Sequence, residues 1–223
     1  MVRSRKTEGP PFVKVCGLAD RRSAEAALKA GADYLGLVFA PSPRQVRTET
    51  VAEVVRAVAA RWVGVFVDAP IERIEESARV LDLAAIQLHG SEDSATCREV
   101  RRRVGRPLWK ALPWTGDPSR LLAYANVVDV VLLDAGGPGR GGTGVELPWR
   151  EIALRYPRSH RPVPLVLSGG LYDENVAEAI AIVQPDGVDA SSRLESAPGL
   201  KDPARVERYV AAARRQVQTG TER

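Results

Sequence analysis

Cys16 and Asp134 each close a short apolar run, Cys16 in Val13-Lys14-Val15-Cys16-Gly17 and Asp134 after Val130-Val131-Leu132-Leu133. If those runs are strands, both side chains stand at a strand end, where barrels of alternating strands and helices build their sites. A free thiol titrates at about pH 8.5, low enough to serve as a base where the surroundings are electropositive. An apolar run desolvates the carboxyl that ends it and raises its pKa, and a carboxyl protonated near neutrality can act as a general acid. The two are candidates for a base and an acid. Cys97, mid-helix in Thr96-Cys97-Arg98, reads instead as a small buried hydrophobe.

Other polar residues fall at the ends of the remaining runs: Lys14, Arg44, Asp68, Gln87 with His89, Lys110, Ser168, and Asp189 with Ser191 and Ser192. Such a ring suits one small ligand. Gly169-Gly170 and Ser191-Ser192 have the chemistry of a phosphate cradle, because glycines let backbone N–H groups approach an anion. In barrels that site commonly sits after the seventh and eighth strands. Gly137-Pro138-Gly139-Arg140-Gly141-Gly142 matches G-x-G-x-x-G only by composition, since no helix opens directly after it as a dinucleotide site requires. It is expected to be a glycine-rich loop able to cover a ligand. His89 and His160 are far apart, no C-x-x-C or clustered Asp/His pattern occurs, and no metal site is expected. G-x-S-x-G is absent as well. An acid, a base and a phosphate site without a cofactor point to isomerisation of a sugar phosphate.

Positioning those residues calls for eight strands. Apolar, β-rich runs at 12–16, 33–39, 62–67, 84–88, 107–112, 127–133, 163–167 and 187–190 alternate with amphipathic stretches. The latter lie at about 20–30, 48–61, 71–81, 92–104, 118–125, 148–156, 173–183 and 203–218. Nearly continuous apolar runs suit strands covered on both faces. Ser91 before Glu92, Asp117 before Pro118 and Tyr172-Asp173-Glu174 look like helix starts. Eight strand–helix units in strict alternation predict an α/β fold, a (β/α)₈ TIM barrel in one domain. Its expected limits are 12–217, between flexible tails at 1–11 and 218–223. Segments 40–45 and 135–144 lengthen two βα loops, the end of a barrel that carries function.

Composition removes other classes. With 44% hydrophobic and 27% charged residues the chain has a core to bury and is neither disordered nor coiled coil. The net charge of +4 is spread among acids rather than gathered in a stripe, so no nucleic-acid partner is expected. Arg101-Arg102-Arg103 reads as a solvated helix end, where cations complement the dipole. Two cysteines in a chain this long favour a reducing compartment. The first eleven residues lack the apolar stretch of a signal peptide, and no window is apolar enough to span a membrane. A soluble, cytoplasmic protein is the expectation.

The ordered motifs resemble the phosphoribosylanthranilate isomerase family of tryptophan biosynthesis over essentially residues 12 to 210. They begin with Val13-Lys14-Val15-Cys16-Gly17-Leu18, Gly31-Ala32-Asp33-Tyr34-Leu35-Gly36, Ser42-Pro43-Arg44-Gln45-Val46 and Ile86-Gln87-Leu88-His89-Gly90. Leu132-Leu133-Asp134-Ala135, Gly141-Gly142-Thr143-Gly144, Leu167-Ser168-Gly169-Gly170-Leu171, Gly187-Val188-Asp189, Ser191-Ser192 and Glu195 follow.

The resemblance implies a cofactor-free barrel that performs an Amadori rearrangement. N-(5′-phosphoribosyl)anthranilate would become 1-(2-carboxyphenylamino)-1-deoxyribulose 5-phosphate, with Asp134 as general acid and Cys16 as general base. Arg44 would pair with the anthranilate carboxylate. Gln87, His89 and Asp189 would line the substrate, with a structural role equally open to Gln87 and His89. Gly142, Gly144, Gly169, Gly170, Ser191, Ser192 and Arg193 would surround the phosphate. Two positions depart from the family: Arg193 where glycine is usual, and Val145 where a lysine or arginine often stands. Arg193 either adds a contact to the phosphate or points into water. Rival functions are a dual-substrate isomerase shared with the histidine pathway, which typically pairs two aspartates, and a non-catalytic phosphate-binding barrel. A monomer or homodimer is expected.

Overall fold

Each of the eight apolar runs forms a strand, and each strand is followed by a helix. The computed structural model describes residues 9–135 and 146–215. The strands are β1 (Phe12–Cys16), β2 (Tyr34–Val38), β3 (Trp62–Phe66), β4 (Ala85–Leu88), β5 (Leu108–Pro113), β6 (Val130–Asp134), β7 (Leu165–Leu167) and β8 (Gly187–Ala190). All pair in parallel with their sequence neighbours, and β1 also pairs with β8, so the barrel closes in the order β1 to β8. Around it run α1 (Arg21–Lys29), α2 (Thr48–Ala57), α3 (Ile71–Val80), α4 (Ser94–Val104), α5 (Ser119–Leu122), α6 (Trp149–Arg155), α7 (Val176–Val183) and α8 (Pro203–Arg214).

Local chemistry sets the helix ends. Asp20 accepts from the Ser23 amide at 2.9 Å, Asp93 from Thr96 at 2.7 Å and Asp202 from Ala204 at 2.9 Å, each capping a first turn. Gly105, at φ +64°, ends α4 in the left-handed region. The cap of α4 is thus Asp93, not Ser91. Ser91 instead bonds Asp68, and Glu92 turns back toward Lys110. Asn175 precedes α7, which begins later than the Asp173 signal suggests. The arginines closing α4 are bonded rather than simply solvated: Arg101 reaches the Val127 carbonyl and Asp129, and Arg103 reaches Glu72 and Glu75 on α3.

Side chains alternate in and out along each strand, filling the barrel in layers. Phe12, Tyr34 and Trp109 form its lowest layer, with ring centroids 5.1–5.6 Å apart. Val63, Ala85, Ala111, Val130, Leu132 and Val166 pack with them. A second, larger apolar layer between strands and helices includes Val15, Leu35, Leu133 and Tyr209. Burying each large apolar side chain contributes about 1.5–3 kcal/mol. The expected N-terminal tail is already tied down at its last residue, because Arg214 donates to the Pro11 carbonyl.

A small hairpin of β9 (Glu195–Ala197) and β10 (Leu200–Lys201) between β8 and α8 lies outside the eight-unit expectation. Among the described residues no helix is long and apolar enough to cross a membrane.

Candidate active site

Cys16 and Lys14 lie two residues apart on β1, so both face the barrel interior. Lys14 is fully buried, and its Nζ donates to Asp189 Oδ2 at 2.8 Å across the β1–β8 pairing. Burial opposes the Lys14 charge, but the Asp189 carboxylate and Cys16 beside it outweigh that and hold its pKa above the ordinary value. Asp189 keeps one buried oxygen, Oδ1, without a partner among the described residues. Above Lys14, burial pushes the Cys16 thiol up, and the neighbouring ammonium works in the opposite direction. Gly36 makes room for the sulfur, since a Cβ there would stand 2.7 Å from Sγ.

Across the barrel, Asp134 ends β6 almost wholly buried. The carboxylate is not in a purely apolar setting, because His89 Nε2 lies 3.0 Å from its Oδ2. His89 Nδ1 is in turn 3.0 Å from Gln87 Nε2. With the amide so placed, Nδ1 accepts and Nε2 carries the proton toward Asp134. His89 thus contacts Asp134, and Gln87 reaches it only through His89.

Arg44 sits in the loop after β2, and its fork is already engaged. Nε and Nη2 donate to Glu195 Oε1 and Oε2 at 2.6 and 2.8 Å. Glu195 also accepts from Lys201 Nζ at 2.6 Å and from the Gly199 amide. Burial alone would raise the Glu195 pKa, but Arg44 and Lys201 hold it below the ordinary carboxylate value. Lys201 reaches Ser191 as well, and the Ser191 hydroxyl donates to the Cys16 carbonyl at 2.9 Å. The side chain of Arg44 crosses over Gly17, which has φ +79°. The sequence motifs contained Glu195, but nothing at Lys201 marked it beyond the Pro198-Gly199 turn before it.

Gly169 and Gly170, just after β7, adopt φ +87° and +70°, a region that glycine enters without strain. Gly169 also lies against Asp134: a Cβ there would meet its Oδ1 at 3.0 Å. Ser191 and Ser192 follow β8 directly. Arg193 is exposed and stacks over the Tyr172 ring at 5.2 Å, so it does not simply point into water. Gly142 and Gly144 lie outside the described residues.

Two members of the expected ring are elsewhere. Lys110 faces away from the interior, donating to Glu92 at 2.9 Å and to the Gly90 carbonyl at 2.8 Å. Asp68 binds Ser91, and its amide donates to Glu92. Together they fix the loop after His89 rather than face a ligand. A cavity of about 340 Å³ is lined by Cys16, Arg44, Gln87, His89, Asp134, Ser168, Asp189 and Ser191, with Val38, Val65 and Val67 among its apolar wall. Among the described residues no group of three His, Cys, Asp or Glu could hold a metal ion.

Residues 13–212 match the N-(5′-phosphoribosyl)anthranilate (PRA) isomerase family. The chain is 40% identical to N-(5′-phosphoribosyl)anthranilate isomerase of Bradyrhizobium diazoefficiens over 212 residues, covering 91% of this chain and 93% of that protein. A structure of monomers of the dimeric phosphoribosylanthranilate isomerase from Thermotoga maritima superposes with a TM-score of 0.78. It is 34% identical and covers 91% of this chain and 98% of that one. A phosphoribosyl anthranilate isomerase in complex with reduced 1-(o-carboxyphenylamino)-1-deoxyribulose 5-phosphate superposes at 0.79, with 33% identity and coverage of 91% and 98%.

Proposed function

The chain belongs to the N-(5′-phosphoribosyl)anthranilate isomerase family, and from that membership we infer how its own residues carry the reaction. It is an isomerase of tryptophan biosynthesis that converts N-(5′-phosphoribosyl)anthranilate into 1-(2-carboxyphenylamino)-1-deoxyribulose 5-phosphate. Asp134 gives a proton to the furanose ring oxygen, and the C1′–O bond breaks to leave a Schiff base. Cys16, as the thiolate that the Lys14 ammonium beside it favours, takes the C2′ proton, and the electron pair of that bond moves to form an enolamine. Ketonisation returns the balance: a proton is added at C1′ and one leaves the 2′-hydroxyl, so acid and base are regenerated.

One observation carries this assignment: a thiol and a carboxyl, from strands on opposite sides of the barrel, line the same cavity. Lys14 beside the thiol and His89 beside the carboxyl give each group its own electrostatic partner. Arg44 binds the anthranilate carboxylate, a planar anion matched to a guanidinium. Asp189 Oδ1 offers an acceptor to the sugar. Gly169, Gly170, Ser191 and Ser192 take the phosphate, with Gly142, Gly144 and Arg193 completing that end. The protein acts in the cytoplasm as a monomer or homodimer, in keeping with the dimeric state named for the Thermotoga maritima relative.

The direct test is loss of fluorescence as purified protein consumes the fluorescent anthranilate substrate. Turnover with no added metal or cofactor is expected. No turnover of that substrate would overturn the assignment.

A further inference from the structure

Glu195 stands behind Arg44 in an element the eight-unit pattern did not contain, the β9–β10 hairpin. Its carboxylate accepts from Nε and Nη2 of Arg44, a side-on, two-bond contact. A guanidinium has a second edge, formed by Nη1 and the outer hydrogen of Nη2. Among the described residues Nη1 has no partner, and Arg44 lines the cavity whereas Glu195 does not. The hairpin also braces the loop itself. Gly199, at φ +83°, brings its backbone so near that a Cβ would stand 2.5 Å from the Pro43 carbonyl oxygen, one residue before Arg44.

A carboxylate beside Arg44 would weaken its pull on an anion if nothing offset it. Lys201 does so: its Nζ is 2.6 Å from Glu195 Oε1. Two cations share one carboxylate, and the trio keeps a net charge of +1. Glu195 therefore fixes the guanidinium plane without cancelling the charge that a ligand meets.

We propose that Glu195 is a positioning residue that presents the Nη1/Nη2 edge of Arg44 to the substrate's aromatic carboxylate, and so sets specificity for carboxylated substrates. This rests on Arg44 being the carboxylate's partner. A planar fork held in advance loses less freedom on binding than a mobile one. The effect belongs to binding, because the carboxylate keeps its charge throughout the rearrangement.

The test compares two non-reacting ligands, the reduced product with its ring carboxylate and the same phenylamino compound without it, alongside kcat and KM. Glu195→Gln is expected to raise KM about tenfold with kcat within about threefold, the pattern of lost uniform binding. It should weaken the carboxylated ligand about tenfold and leave the other unchanged. If Glu195→Gln does not fold, Glu195→Asp carries the same expectation, since it keeps the charge facing Lys201 but is too short to hold both Arg44 nitrogens. Equal weakening of both ligands would make Glu195 a mere support of the hairpin and overturn the proposal. Arg44→Ala separates the two layers. If it leaves the preference for the carboxylated ligand intact, the Arg44 assignment fails and takes this proposal with it. If it abolishes the preference while both Glu195 variants retain it, this proposal alone fails.

Discussion

His89 Nε2 and Asp134 Oδ2 stand 3.0 Å apart, and Gln87 fixes the far side of the same imidazole. The carboxyl that ends β6 is thereby held by the residue that follows β4. Cys16→Ala and Asp134→Asn are each expected to lower kcat at least about a hundredfold, the scale of a positioned proton-transfer group. His89→Ala should cost less, about tenfold in kcat, because it removes orientation and leaves the carboxyl in place. The fluorescence assay measures all three. Near-normal kcat in any one of them removes that residue from the assigned role.

The state of Cys16 can be read without substrate. Alkylation by iodoacetamide needs the thiolate, and burial holds the Cys16 thiol above its ordinary pKa. Little thiolate is therefore present at pH 7, and the rate should climb about tenfold per pH unit through pH 8. Lys14 lowers the thiol's pKa, so Lys14→Met must raise it and slow alkylation at any given pH. Cys97, fully buried with its thiol pushed up to about 11, should stay unlabelled, and peptide mass spectrometry locates the adduct. A rate that is flat between pH 6 and 8 contradicts the raised thiol.

Gly17→Ala tests the crossing point between Cys16 and Arg44. Positive φ costs a side chain roughly 1–2 kcal/mol, and the new methyl would sit 2.6 Å from Arg44 Cδ and 3.0 Å from Ser191 Oγ. The melting temperature should fall by several degrees, and KM should rise as Arg44 is displaced. An unchanged KM in a folded variant would show that Arg44 can shift without loss.

The barrel was legible in the sequence because a strand covered on both faces must be apolar throughout, and β1 and β8 begin and end where their runs do. Helix starts were less so: Ser91 and Asp93 are both good caps, but Ser91 is taken up by Asp68 and Glu92 by Lys110, contacts 23 and 18 residues away in the chain. Position at a strand end pointed to Cys16, His89 and Asp134, which line the cavity, but it also recruited Lys110, because a run apolar on both faces does not say which way a residue points. The hairpin escaped for another reason. Three- and two-residue strands are too short to show a period, and the bonds from Glu195 to Arg44 span 151 residues of chain.

Phe12, Tyr34 and Trp109 give the barrel a floor, sealed from below where the Arg61 guanidinium lies 4.9 Å from the Tyr34 ring centre. The barrel interior is therefore a blind well. Isotope released from the substrate and isotope drawn from water must cross the same rim, and neither can leak through the bottom. How much label a turnover retains then reports a race at one doorway, between transfer back to carbon and escape upward.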